Sequence, residues 1–154
     1  MDIYEEKIKS YMRNNEIKGE HMVFESSCHS VEEAAISANI SIDDIVKNIC
    51  MINEDGELIV AIVKGEDRAS TTRVGKALGI TRPRIATEEE VREKTGYVCG
   101  GVPSFGYKAI YLIDSKVMER EIVYTGGGSE SSLIKISTDI LKEINNGQVT
   151  RIRK

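Results

Sequence analysis

Two apolar runs, residues 45–52 and 58–63, flank the tetrapeptide Asn53-Glu54-Asp55-Gly56, and this pair limits the folds open to the chain more than any other feature. Asp-Gly tolerates the backbone of a tight reverse turn, so the runs read as a β-hairpin. Both are rich in Ile and Val and nearly continuous rather than alternating. Strands of that kind are buried on both faces, which places the hairpin inside a sheet that other elements cover. Lys47 breaks the first run. A lysine there either snorkels to water at the strand's edge or points into a pocket, where its charge needs a partner or its proton is lost. The pattern alone favours snorkelling.

The covering elements follow from local signals. Ile3, Tyr4, Ile8, Tyr11 and Met12 recur at helical spacing, so the chain opens with an amphipathic helix over 3–14. Residues 21–26 read as a short strand. Ser30 with Glu33, and Thr87 with Glu90, have capping-box spacing and start helices over about 31–38 and 88–94. A further helix spans about 70–78; Gly79 and Gly96 stop the second and third of these segments. Residues 108–114, 121–124 and 133–136 read as strands, and Ser137 with Ile140, Leu141 and Ile144 as a closing helix. Helices and strands in irregular order, with a hairpin among them, predict an α+β fold: one compact domain over 1–154, with a curved mixed β-sheet flanked by helices. A chain of 154 residues is long enough to bury such a core.

With 40% apolar and 30% charged residues, the composition is that of a folded globular protein rather than a disordered one. No apolar run approaches the roughly 18 residues of a membrane span, so no membrane partner is expected. The charged start MDIYEEKIKS lacks the apolar segment of a secretory signal, which predicts a cytoplasmic location. Cys28, Cys50 and Cys99 have no C-x-x-C spacing and read as reduced thiols in or near the core. The net charge of −4 argues against sequence-blind binding to long DNA. The charge is uneven, however. Lys64, Arg68, Arg73, Lys76, Arg82 and Arg84 cluster against only Glu66 and Asp67, and Arg151, Arg153 and Lys154 end the sequence. A local basic patch suits a ligand with a few phosphates; solvated helix and loop faces are the plainer reading.

The most unusual segment is residues 95–108, TGYVCGGVPSFGYK, with Gly96, Gly100, Gly101 and Gly106 around Pro103. Such a loop can aim several amides at an anion or a developing oxyanion, or can simply be a tight connection. It matches neither a dinucleotide fingerprint nor a Walker loop. A second cluster, Gly126-Gly127-Gly128-Ser129, reads as a flexible turn. His21 and His29 have no metal-binding spacing, so neither a metal nor a cofactor is expected. Ser26, Ser27 and Cys28 fall where a pocket or an ordinary strand-to-helix loop would lie.

Four segments in order resemble one family: SSCHSVEEAA (26–35), IVKNICMINEDGELIVAIVKGEDR (45–68), GYVCGGVPSFGY (96–107) and YTGGGS (124–129). They resemble the YbaK / prolyl-tRNA-synthetase-associated editing domain over about residues 20–145. The resemblance implies a curved mixed sheet around a small pocket, and hydrolysis of the ester that joins an amino acid to the terminal adenosine of tRNA. The family's functional lysine falls on Lys47, which moves the reading of that residue from snorkelling to pocket-facing. Its glycine loop falls on 100–106, so Gly100 and Gly101 are the expected oxyanion donors. Ser26, Ser27, Cys28, Val102, Pro103, Ser104, Phe105, Gly106, Gly127 and Gly128 are the expected substrate contacts, and Lys64, Arg68, Arg73 and Lys76 the expected tRNA contacts. Many members carry Pro at the fifth place of the loop; this chain has Ser104 there and Pro103 one residue earlier. The implied partners are an aminoacyl-tRNA acceptor end and a synthetase, with a monomer as the default state. Two other classes stand beside this one: a binding module that keeps the pocket without turnover, and a hydrolase of some other small ester.

Overall fold

The computed structural model describes residues 2–154. In chain order the elements are α1 (Ile3–Asn14), β1 (Glu20–Val23), α2 (Val31–Ala38), β2 (Val46–Ile52), β3 (Leu58–Lys64), α3 (Thr71–Leu78), β4 (Arg84–Ile85), α4 (Glu88–Thr95), β5 (Ile110–Asp114), β6 (Ile122–Gly126), β7 (Ser132–Ser137), α5 (Thr138–Asn145) and β8 (Gln148–Thr150). The helix starts follow their caps. Thr87 and Glu90 form the full reciprocal box at the head of α4, whereas Ser30 caps α2 through the Glu33 amide alone. Asp2 and Glu5 supply a second full box, at α1. Gly79 and Gly96 close α3 and α4 in the left-handed region, as their positions predict.

The strands form a mixed fold in two ladders. One is antiparallel, in the order β1-β7-β6; the other runs β4-β2-β3-β5-β8, antiparallel on the β4 side and parallel beyond β3. A parallel bridge between Ile45 and Tyr124 joins them at the start of β2. Between the ladders, Val46, Cys50, Ile52, Val60 and Ile62 pack on Ile8, Phe105, Ile134 and Ile136. On the opposite face of the hairpin, Met51, Ile59, Ala61 and Val63 pack on Val74 of α3 and on Ile152. The period of two along each strand therefore feeds two separate apolar layers.

β3 is buried along its whole length, as the continuous apolar run predicts. β2 is not: Lys47, Asn48 and Ile49 are only half-buried. The cause is β4, which pairs with Met51 and Ile52 and then ends, leaving the first half of β2 as an open edge. The strand expected over 21–26 stops at Val23, and the one expected from 108 begins at Ile110. Among the described residues no helix is long and apolar enough to cross a membrane.

Candidate active site

The open edge of β2 is the floor of a cavity of about 320 Å³. Val31 and Ala34 of α2, Ala86 after β4, Val91 of α4 and Leu133 of β7 form its apolar walls. Cys28, Cys50 and Cys99 all open onto it. Burial raises the pKa of each thiol, that of Cys50 to about 12 with Cys99 adding to the shift, so all three stay protonated near neutrality and are poor nucleophiles.

Lys47 lines this cavity, where the resemblance places it. Among the described residues its ammonium forms no ion pair. Desolvation is the main cause that lowers its pKa below the ordinary lysine value; Arg68 lowers it further, while Asp67 and Glu32 oppose. A cation held this way has unspent capacity for an anion, because a phosphate or an oxyanion restores what burial removed.

The glycine loop is fixed to β2 by Asn48 and Thr125, which the sequence did not single out, and by Ser104, expected as a substrate contact. Asn48 Nδ2 donates to the Val102 carbonyl (2.8 Å) and to Thr125 Oγ1 (2.9 Å). Ser104 Oγ donates to Asn48 Oδ1 (2.6 Å) and lies 2.7 Å from Thr125 Oγ1. With Thr125 donating to Ser104, every proton of this buried ring has an acceptor. The Ser104 carbonyl accepts from Asn145 Nδ2 (3.0 Å). The two glycine clusters face each other across a backbone contact: Gly128 N–H donates to the Gly101 carbonyl (2.8 Å). A Cβ on Gly101 would stand 2.6 Å from the Gly128 oxygen, and one on Gly126 would stand 2.3 Å from the Val102 oxygen. Close main-chain approach explains both clusters better than a flexible turn does.

Several expected contacts need correction. Ser104 and Phe105 are fully buried, in the polar ring and the core respectively. Pro103 is buried and Gly106 half-buried, and neither reaches the cavity. Gly127 and Gly128 are taken up in backbone packing against Ser132 and Tyr4. Ser26 and Ser27 are exposed beside Ser37, away from the cavity. The Gly101 amide donates to the Val98 carbonyl (3.1 Å), so it is not free for an oxyanion; Gly100 does line the cavity. Cys28 and Val102 line the cavity. Lys64 is buried between Glu66 (3.1 Å) and Asp43 (3.6 Å), so its charge is already satisfied and it offers no phosphate contact. Arg68, Arg73 and Lys76 are exposed.

A second cavity of about 430 Å³ adjoins the first, and Ile85 lines both. Its wall carries Arg82, Arg84 and Lys154 beside Ser70, Thr71 and Thr72 at the start of α3. Glu90 holds Arg84 through two 2.7 Å bonds, while among the described residues Arg82 bonds only the neutral Thr71 hydroxyl (2.7 Å). An apolar chamber, lined by a lysine that has no ion pair among the described residues, therefore opens beside a basic one. Among the described residues no His, Cys, Asp and Glu side chains gather as a metal site.

Comparison with known proteins gives the same direction. Residues 25–144 match the family described as the aminoacyl-tRNA editing domain. The protein YwhH of Bacillus subtilis, itself uncharacterised, is 28% identical over 82% of this chain and 81% of its own length. The multifunctional Ser/Thr-tRNA deacylase ProXp-y of Escherichia coli is 28% identical over 61% of this chain and 60% of the deacylase. A proline–tRNA ligase of Brachyspira hyodysenteriae is 28% identical over 70% of this chain, which corresponds to 19% of the ligase. A solved structure described as a candidate trans-editing enzyme for prolyl tRNA synthetase has the same fold, with a TM-score of 0.92 over 100% of this chain and 99% of that one, at 23% identity.

Proposed function

This chain belongs to the aminoacyl-tRNA editing domain family, and from that premise we propose that residues 1–154 act as one editing domain that deacylates mischarged tRNA. The observation that carries the reading is Lys47, which forms no ion pair among the described residues, in the lining of an apolar chamber that opens beside a basic one. The aminoacyl group enters the apolar chamber. The acceptor-end phosphates lie along Arg82 and Lys154, with Arg68, Arg73 and Lys76 farther out. The protein works in the cytoplasm as a monomer, alone or beside a synthetase.

The chemistry asked of the protein is modest, because an aminoacyl ester is already activated. Holding the ester and stabilising the tetrahedral oxyanion account for most of the rate. Lys47 meets the developing negative charge or the ribose-phosphate next to it, and the Gly100 amide is the available loop donor. Among the described residues the cavity walls hold no carboxylate, so the attacking water passes its proton to the substrate's own 2′-hydroxyl. The test is a panel of Ala-, Ser- and Cys-charged tRNAs: selective hydrolysis of one or more supports the reading, and hydrolysis of none sinks it.

Two expectations follow from the chamber. The first concerns pH. Lys47 is charged below its lowered pKa and neutral above it, so activity should fall on the alkaline side at a lower pH than the ordinary lysine value of 10.5 would give. After subtraction of uncatalysed ester hydrolysis, Lys47→Arg should show no such limb over the same range. The linked stability runs the other way. The folded state holds this proton less tightly than the unfolded chain, so unfolding free energy rises with pH between the lowered value and 10.5. The second concerns size. Ala86 is a small wall residue, and Ala86→Leu adds methylenes where the aminoacyl side chain sits. It should reduce kcat/KM about tenfold or more, most for the bulkier aminoacyl groups, in a comparison of the same panel. An equal loss for every substrate would place Ala86 outside the aminoacyl chamber.

A further inference from the structure

Between its bridge to Tyr124 at Ile45 and its contact with Ala86 at Cys50, the edge of β2 pairs with no strand of the described chain, and its main-chain groups there are usable. In an antiparallel strand, alternate residues turn both N–H and C=O to the same side. The Cys50 carbonyl faces outward, since it accepts from Ala86 N–H (2.9 Å). By the same alternation the groups of Lys47, Ile49 and Met51 turn toward β3, and those of Asn48 turn outward with those of Cys50. The β4 register pairs Met51 with Ile85 and Ile52 with Arg84. Continued three steps from the Met51–Ile85 pair, it would set residue 88 against Asn48. The chain instead leaves the ladder at Thr87, which caps α4. The Asn48 main chain therefore faces the cavity with one donor and one acceptor free, while its side chain is wholly occupied in the ring with Val102, Ser104 and Thr125.

We propose that this vacant ladder position is the seat of the aminoacyl group. The proposal rests on the editing reading and deepens it. A residue at such a position exchanges two hydrogen bonds with its partner, one from its N–H and one to its C=O. An esterified amino acid carries the same two groups, an α-ammonium and an ester carbonyl, at the same separation. The α-ammonium donates to the Asn48 carbonyl, and the Asn48 N–H donates to the ester's carbonyl oxygen, which becomes the oxyanion. Partners on adjacent strands share a face, so the amino-acid side chain points with those of Cys50 and Ala86 toward Val91, Cys99 and Val102. This seat reads what every amino acid has in common; the walls read the side chain. It also supplies an oxyanion donor in the place that the engaged Gly101 amide leaves unfilled.

The test uses the wild-type protein labelled with ¹⁵N and a stable analogue, 3′-alanylamido-3′-deoxyadenosine, in which an amide replaces the ester. The expected result is that the Asn48 amide proton exchanges about tenfold more slowly in the complex, as a newly hydrogen-bonded edge amide does, and that the analogue lacking the α-amine binds about tenfold more weakly. If the analogue binds, with shifts at Lys47 and Val102, yet Asn48 exchange is unchanged, the seat is wrong while the editing reading stands. If the analogue does not bind and no mischarged tRNA is hydrolysed, the editing reading fails and the seat fails with it.

Discussion

Lys47→Ala should lower deacylation about a hundredfold or more while leaving the protein folded, since loss of one preorganised group that meets transition-state charge has an effect of that size. The lysine is poorly placed for stability. It lies half-buried at an open strand edge, forms no ion pair among the described residues, and has a pKa that desolvation depresses. A charge disfavoured by its surroundings works against the folded state at neutral pH, so Lys47→Met should unfold at the same or a higher denaturant concentration than the wild type. Activity and stability then move in opposite directions, the signature of a residue kept for chemistry. Deacylation kinetics on one mischarged tRNA, together with urea unfolding of the same preparations, checks both halves. Full activity in Lys47→Ala would remove the residue from the mechanism. A large loss of stability would mean that its aliphatic stem is a packing element and its position in the cavity incidental.

The hairpin, the helix caps and the mixed α+β character were legible because each rests on local signals: turn residues, capping spacing and unbroken apolar runs. β4 and β8 were not, because strands of two and three residues carry no period to read. That gap matters more than its size suggests, since the short reach of β4 is what leaves the edge of β2 open and makes a cavity there. The role of Lys47 came from resemblance, not from pattern, because a lysine in an apolar run looks the same whether it meets water or a pocket. Lys64 shows the converse: its charge counted toward a basic patch in the sequence, but Asp43 and Glu66 close around it in space. The glycine loop stood out in the sequence through its glycines, but the structure assigns them a further part. Its glycines serve close main-chain packing as much as ligand approach, and its anchor is a side chain fifty-odd positions earlier that only the fold brings near.

That anchor carries the second large effect. Asn48→Ala removes three hydrogen bonds and leaves the Val102 carbonyl and the Ser104 and Thr125 hydroxyls short of partners in a buried place. Each unsatisfied group costs about 1–3 kcal/mol, so a loss of about 3 kcal/mol is expected after partial relaxation. For a chain of this length that corresponds to a fall in Tm of roughly 6–12 °C. Ser104→Ala should cost less, about 1–2 kcal/mol, because Asn48 Nδ2 keeps both of its acceptors. The two changes share one ring and should not add: once Asn48 is gone, loss of the Ser104 hydroxyl removes a donor that already lacks its partner. A double-mutant cycle by urea unfolding should therefore give a coupling of about 1 kcal/mol or more. Strict additivity would mean that the ring is not the unit that holds the loop. Catalysis separates this role from plain stability. At a temperature where Asn48→Ala is fully folded, loosening of Val102 and Gly100 should still raise KM and lower kcat, whereas a mutation of similar cost in the α3 layer, such as Val74→Ala, should leave both near the wild-type values. Equal kinetics in the two variants would assign the ring to the core alone and return the positioning of the loop to its glycines.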